Sequence, residues 1–197
     1  MIENHPLEPF TPSNARILML GSFPPKKERW SMEFFYPNWI NDMWRIVGLV
    51  FFGDKDHFAD TDAKRFDREG IIRFCEEKGI ALYDTACRVR RLKDNASDKF
   101  LEVVTPTDIP ALLDRMPECK AIVTTGQKAT DVITGTLKCE EPSVGGMALA
   151  TVPVSGKEVS VRELRFWRMP SSSRAYPMEI DRKAGFYRTM FESEGLL

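Results

Sequence analysis

The stretch Arg16-Ile-Leu-Met-Leu-Gly21 decides how the rest of the sequence is interpreted. Four consecutive apolar residues between a charge and a glycine are too few for a helix, and they predict a buried strand. Similar short runs occur at Ile80 to Asp84 and at Ala121 to Gly126, and an alternating pattern occupies Val161 to Met169. We therefore predict four strands that belong to one sheet.

Segments with helical spacing of apolar residues lie between these strands. They predict helices over Asn41 to Phe52, Phe66 to Lys78, Thr107 to Met116, Gln127 to Thr134 and Ile180 to Glu194. Glu140 to Ser160 predicts an irregular loop or small hairpin at one edge of the sheet. Alternation of strands and helices is typical of parallel sheets covered on both faces. We expect a three-layer α/β/α fold with a central four-stranded parallel sheet, in a single domain spanning residues 1–197.

Composition limits the classes of function. The 197 residues include 28 Lys and Arg against 29 Asp and Glu, a formal net charge of −1, so any site for a polyanion must be a local patch. No apolar run approaches the roughly 20 residues of a membrane helix, and the N-terminus lacks the pattern of a signal peptide. We expect a cytoplasmic protein that does not span a membrane.

Metal and cofactor chemistry is not indicated. The four cysteines contain no Cys-x-x-Cys pair, which makes zinc sites and disulfide frameworks improbable. The two histidines, His5 and His57, lie in no ligand-like cluster, which disfavours chemistry that depends on a histidine base. We expect neither a metal nor an organic cofactor.

Small and polar residues follow every predicted strand. They are Gly21-Ser22-Phe23, Asp84, Thr125-Gly126 and Pro170-Ser171-Ser172-Ser173. Each segment alone is typical of a tight turn. Because the carboxyl ends of parallel strands meet at one edge, the four together predict a ligand site there.

The loop Phe34 to Trp44 carries five aromatic side chains in eleven residues, interleaved with Asn38 and Asn41. Met43 and Trp44 have helical spacing, which is typical of the core. Tyr36 and Asn41 do not fit that pattern. Aromatic faces stack on nucleobases and amides hydrogen-bond to them, so these two residues are candidate base contacts.

These segments resemble the uracil-DNA glycosylase superfamily, and most closely its hypoxanthine-DNA glycosylase (mismatch-specific-like) branch. Leu20-Gly-Ser-Phe-Pro24 is similar to that family's Gly-Ser-x-Pro motif, and Tyr36-x-Asn38-x-x-Asn41-x-Met43-Trp44 to its Tyr-x-His-x-x-Asn-x-Phe-Trp segment. Ala81 to Asp84, Thr125 to Ala129 and Met169 to Ser173 are similar to later motifs. The likeness extends over roughly residues 15 to 190, and several motifs in the family's order are more specific than one.

The resemblance implies a monofunctional DNA glycosylase that hydrolyses the N-glycosidic bond of a flipped deaminated base, hypoxanthine or uracil, in base-excision repair. It implies that Asn41 is the catalytic residue, that Tyr36 stacks on the base, and that Asp84 accepts the N–H of the base edge. The other residues implied in the base pocket are Gly21, Ser22, Phe23, Asn38 and Gly126.

DNA containing a damaged base is the implied partner, bound by a monomer. The implied DNA contacts are the loop Pro170, Ser171, Ser172 and Ser173, with a phosphate held at the start of the last helix, and the cations Arg174, Arg90 and Arg91. Further basic residues that follow the strand ends are Lys26, Lys27, Arg29, Arg88, Lys93 and Lys128.

The sequence departs from the family pattern at several positions. Asn38 replaces the usual histidine, Trp39 and Arg174 replace prolines, Pro25 replaces a small residue and Tyr176 an asparagine. Met169 stands where the best-known branch has a histidine that stabilises the anionic base. Two alternatives therefore stay open: a catalytically weak or inactive base-binding module with the same fold, and a flavodoxin-like or other doubly wound protein with coincidental motifs.

Overall fold

The computed structural model describes residues 1–92, 100–154 and 160–197. The candidate DNA contact Lys93, and residues 155–159 of the predicted edge segment, lie outside the described residues. In chain order the described strands are β1 (Ile2–Asn4), β2 (Ile17–Gly21), β3 (Ala59–Asp60), β4 (Arg65–Phe66), β5 (Ile80–Asp84), β6 (Ala86–Arg91), β7 (Leu101–Pro106), β8 (Ala121–Thr125), β9 (Met147–Pro153) and β10 (Val161–Met169). The α-helices are α1 (Met43–Phe52), α2 (Arg68–Lys78), α3 (Ile109–Asp114), α4 (Gln127–Leu137) and α5 (Ile180–Ser193).

A mixed five-stranded sheet forms the centre, with strand order β5-β2-β8-β10-β9. The first four of these are the predicted strands, and neighbours among them pair in parallel. The strand β9 pairs antiparallel with β10 at the edge, so the prediction of four strands is wrong by one. The Gly- and Pro-containing flanks of β9 hid it in the sequence, although its residues alternate between exposed and buried, as an edge strand requires.

Helices cover both faces of this sheet. The ring of Phe51 in α1 lies 4.8 Å from that of Phe74 in α2 and 4.9 Å from that of Phe191 in α5, so these three helices share one layer. The connection from β2 to β5 runs one way along the sheet, and those from β5 to β8 and β8 to β10 run the other way. Because parallel crossovers are right-handed, α3 and α4 lie on the opposite face.

Helix boundaries follow local signals. Asp67 and Asp108 accept the backbone N–H groups of Gly70 and Ala111, which caps α2 and α3. Gly53 ends α1 in the left-handed conformation, which glycine adopts without a Cβ penalty. The helices α1, α2 and α3 begin two residues later than predicted, and α4 and α5 begin where predicted.

A second, antiparallel sheet of order β1-β6-β7 was not predicted. The basic segment Arg88 to Arg91, which follows the predicted strand Ile80 to Asp84, is part of β6. Its buried residues, Ala86 and Val89, are too few to stand out among the charges. Ile2 pairs with Arg90 and Asn4 with Arg88, so this sheet fixes the N-terminal segment beside the end of β5.

The register of the central sheet aligns the carboxyl ends of its parallel strands. Gly21 pairs with Asp84, and Met169 pairs with Thr125. The segments that follow these four residues therefore share one rim, as predicted.

Within the described part of the chain, no helix is both long and apolar enough to cross a membrane.

At the opposite end of the sheet, a carboxylate fastens α5 to β10. The Glu194 side chain is 2% exposed and accepts hydrogen bonds from Arg165 Nε and Trp167 Nε1, both at 2.7 Å. Burial acts to raise the pKa of Glu194, but the hydrogen bonds from Arg165 and Trp167 outweigh it, so the pKa is lowered. The ionised form is thus the one that the fold stabilises.

Replacing Glu194 by glutamine is expected to lower the free energy of unfolding at pH 7 by about 1–3 kcal/mol, because the Arg165 end of the pair is 38% exposed and partly screened. A lowered carboxyl pKa stabilises the fold above the unfolded value, roughly 4.3, and this contribution is lost as the pH falls through the folded value. Urea titrations of wild type and Glu194→Gln should therefore converge below about pH 4. The control is Glu192→Gln, at an exposed position of the same helix turn; a difference independent of pH contradicts the assignment.

Candidate active site

The rim of the central sheet contains a cavity of about 700 Å³, within the size range of small-molecule sites. Every predicted base-pocket residue lines it, together with most of the predicted DNA contacts. These lining residues are Gly21, Ser22, Phe23, Tyr36, Asn38, Asn41, Asp84, Arg91, Gly126, Ser171, Ser172, Ser173 and Arg174. Pro170 and Arg90 do not line the cavity.

The carboxylate of Asp84 lies against the backbone of Gly21. A Cβ atom at Gly21 would be 2.3 Å from Asp84 Oδ1 and 3.7 Å from the Tyr36 ring. Asp84 is 7% exposed and lines the cavity. Its Oδ2 lies 2.8 Å from His5 Nε2, so Oδ1 is the oxygen that can accept a hydrogen bond from a ligand in the cavity.

The ring of Tyr36 is held rigidly beside this carboxylate. Its hydroxyl lies 3.0 Å from Thr125 Oγ1, and its ring meets that of Trp44 edge to face at 6.2 Å. Its φ of 51° is unusual for a non-glycine residue and costs about 1–3 kcal/mol, which the surrounding contacts must offset. Burial, and to a smaller extent the charge of Asp84, raise the pKa of Tyr36, so the phenol stays neutral.

One atom of the Asn41 amide already has a structural role. Asn41 Oδ1 accepts the backbone N–H of Met43 at 2.9 Å at the start of α1, which fixes the orientation of the amide. The atom left to act in the cavity is therefore Nδ2, which donates. Asn38 is fixed in the same way, since its Oδ1 accepts the N–H of Ile40 at 3.1 Å.

The serine loop, defined as residues 170–173, is tied down through its carbonyl groups. Pro170 C=O accepts the hydroxyl of Tyr187 at 3.0 Å, and Ser173 C=O accepts Lys183 Nζ at 2.8 Å. Ser171 Oγ accepts the N–H of Ser173, so its own proton remains available as a donor. The prediction that this loop lies at the start of the last helix is wrong, because α5 begins only at Ile180.

A buried ion cluster joins the serine loop to α1. Lys183 is 1% exposed, and its Nζ lies 3.6 Å from Asp42 Oδ2. Asp42 Oδ1 accepts Arg174 Nε at 2.8 Å. Burial lowers the pKa of Lys183, and the charge of Asp42 acts against that shift. Asn41 and the serine loop are thereby held as one unit.

Two arginines predicted to contact DNA have other partners. Arg90 forms an ion pair with Glu102 at 2.9 Å on the outer sheet, away from the cavity. Arg91 lines the cavity, but its side chain is 10% exposed and binds both Glu3 and the carbonyl of Pro24. The position of these arginines after β5 did not reveal the antiparallel sheet that pairs them, and their contact with DNA stays a prediction.

The described residues that line the cavity nevertheless include more cationic than acidic side chains. Among the described lining residues Arg29, Arg91, Lys128 and Arg174 are cationic, and Asp84 is the one acidic side chain. Arg174 keeps 47% of its side chain exposed despite its bond to Asp42. A local positive patch thus exists on a chain of net charge −1, as the sequence required for a polyanion ligand.

Sequence reasoning missed His5. The side chain is 3% exposed, and its Nε2 lies 2.8 Å from Asp84 Oδ2. The two residues are 79 positions apart, and no motif contains His5, so only the pairing of β1 with β6 reveals the contact. Trp39, a departure from the family pattern, packs on Arg45 and Phe66 and does not line the cavity.

No group of three or more metal-ligating side chains occurs within residues 1–92, 100–154 and 160–197. The polar atoms gathered in the cavity are instead hydrogen-bond donors and acceptors beside an aromatic ring. That combination suits a flat heterocycle with a polar edge.

The close approach of Asp84 to Gly21 can be tested by measuring the free energy of unfolding of variants. Gly21→Ala is expected to displace the carboxylate and to lower the free energy of unfolding by about 1–3 kcal/mol. Gly185→Ala, at an exposed helical position with open space around it, is expected to raise it by about 0.5–1 kcal/mol. Urea denaturation of both variants measures the difference, and a Gly21→Ala protein as stable as wild type would contradict the contact.

Comparison with known proteins supports the fold. Neither protein-family models nor curated protein sequences give a match to this chain. Solved structures do match, among them the solution NMR structure of a protein from Methanosarcina acetivorans that is described as a "putative Uracil DNA glycosylase". The likeness covers 99% of both chains with a TM-score of 0.64 and 19% sequence identity. The chain therefore has a fold similar to that protein's.

Proposed function

We propose that this protein is a monofunctional DNA glycosylase, which hydrolyses the N-glycosidic bond of a flipped deaminated base, hypoxanthine or uracil, in base-excision repair. The observation that carries the proposal is the convergence of Tyr36, Asp84 and Asn41 in one cavity, whose charged lining residues are mostly cationic. The motifs that resemble the hypoxanthine-DNA glycosylase branch, and the fold similarity, point in the same direction.

Base recognition rests on the pair Tyr36 and Asp84. A neutral aromatic ring provides a stacking surface, and Asp84 Oδ1 provides an acceptor beside it. Hypoxanthine and uracil present an N–H on the Watson–Crick edge, whereas adenine and cytosine present a ring nitrogen that only accepts. An acceptor at this point favours the deaminated base over its parent, because two facing acceptors leave a buried polar group unpaired.

Catalysis rests on Asn41 Nδ2. As the glycosidic bond lengthens, the sugar becomes oxocarbenium-like and negative charge develops on the departing base. A fixed amide donor in the cavity stabilises that charge, or holds the oxygen of the attacking water, without any change of protonation. Water then bonds to C1′, the base leaves with the electron pair of the broken C1′–N bond, and the proton of the water goes to the base or to solvent.

DNA contact is proposed for the rim of the cavity. Arg29, Lys128 and Arg174 are among the residues that line the cavity, and the hydroxyls of Ser171 and Ser173 remain available as donors. Such groups neutralise and position phosphates, which provides most of the affinity for a duplex. The protein acts on DNA as a monomer and without a cofactor in this proposal.

The variant Asn41→Asp tests the catalytic assignment. It keeps an oxygen for the N–H of Met43 and removes the Nδ2 donor, so the fold should persist while excision falls by at least about 100-fold. Asn41→Ala should lose excision and in addition about 1 kcal/mol of stability with the hydrogen bond from the Met43 N–H. Asn14→Ala, at an exposed site far from the cavity, is the matched control.

The assay uses labelled oligonucleotides that each carry one modified base, followed by alkaline cleavage of abasic sites. Wild type is expected to excise hypoxanthine or uracil and to leave the strand intact without alkali. Normal excision by Asn41→Asp would assign catalysis elsewhere. DNA binding without excision of any base by wild type would favour the base-binding module instead.

A further inference from the structure

His5 lies next to the cavity without lining it, and its backbone and ring are both held in place. Its backbone N–H donates to Cys87 C=O at 2.8 Å, continuing the pairing of β1 with β6. The imidazole lies among aromatic rings, 4.6 Å from that of Tyr83 and 5.3 Å from that of Phe23. The ring is thus immobilised with Nε2 directed at Asp84 Oδ2, 2.8 Å away.

The position of the imidazole places its Nε2–H group against the Asp84 carboxylate. Nδ1 lies 2.8 Å from Leu7 C=O and 3.2 Å from Leu7 N–H, so it can donate or accept. Because a carboxylate oxygen only accepts, the contact with Asp84 Oδ2 places a hydrogen on Nε2, which donates to the carboxylate.

We propose that His5 is a positioning residue for base selection: its Nε2–H engages Asp84 Oδ2 and leaves Oδ1 as a fixed acceptor in the cavity. This inference rests on the proposed function for the identity of the ligand. His5 does not line the cavity and acts through Asp84 alone. Together with Gly21, which leaves room for Oδ1, it fixes the carboxylate at both of its oxygens.

The consequence is a preference for bases whose edge carries an N–H. A carboxylate whose Oδ2 is engaged presents an acceptor and no donor at Oδ1, which matches N3–H of uracil and N1–H of hypoxanthine. Without the bond from His5, the carboxylate can rotate about its side-chain torsions and no longer offers Oδ1 in a fixed direction. The discriminating power of Asp84 should then fall even though Asp84 is still present.

The experiment measures how strongly the protein senses the N–H of the base. Duplexes carry uracil or N3-methyluracil on a 2′-fluoro sugar, which resists cleavage, and the ratio of the two dissociation constants is determined. Wild type is expected to prefer the N–H base by about 100-fold, and His5→Leu to reduce that ratio at least tenfold. His5→Gln, which retains an amide donor, is expected to keep most of it.

The control is His57→Leu, which removes the other histidine of the chain, stacked on Phe52 away from the cavity. A purely structural role of His5 would weaken both duplexes alike and leave the ratio unchanged, which would overturn the inference. If His5→Leu does not fold, His5→Asn replaces it. Its shorter amide does not reach Asp84, so the ratio of the two dissociation constants is expected to fall at least tenfold here as well.

Failure of the inference can be told from failure of the proposed function. A wild-type preference that persists in His5→Leu overturns the role of His5 alone. A wild type without any preference overturns base reading by Asp84 and the role of His5 with it. A preference that depends on His5, in a protein that excises no base, overturns glycosylase activity but supports the role of His5 in base selection.

Discussion

The contact between the Asp84 carboxylate and the α-carbon of Gly21 is the constraint on which the site depends. It exists because β2 and β5 pair in parallel with Gly21 opposite Asp84, and because glycine has no Cβ, which would lie only 2.3 Å from Asp84 Oδ1. The sheet register thus places a glycine at the end of one strand beside a carboxylate at the end of the next, and the missing Cβ leaves room for that carboxylate. Tyr36 closes the same space from the aromatic loop.

The rest of the molecule immobilises this arrangement from two sides. On one side, the buried charges of Asp42 and Lys183 and the half-exposed Arg174 join α1, α5 and the serine loop, so that Asn41 has a fixed position. On the other side, the antiparallel sheet carries the N-terminal segment to the back of Asp84. Removing one partner of such a buried cluster leaves an uncompensated charge, so the cluster favours one arrangement of the loops around the cavity.

The sequence was sufficient to predict the features that depend on local patterns. Buried parallel strands are continuous apolar runs, so Ile17 to Leu20 and its counterparts were recognised, and their shared rim followed from sheet topology. Features that depend on distant pairing were missed. The bond of Arg91 to Glu3 requires β1 to pair with β6, and the same pairing places His5 against Asp84. The hydrogen bond from the Met43 N–H to Asn41 Oδ1 depends on the exact start of α1.

The most direct test of the central claim is a crystal structure of the protein with a duplex that contains hypoxanthine on a 2′-fluoro sugar. We expect the base outside the helix, stacked on the Tyr36 ring, with its N1 at about 2.7–3.2 Å from Asp84 Oδ1. A base that remains stacked within the duplex, or one that enters the cavity with its N–H directed away from Asp84, would contradict the account.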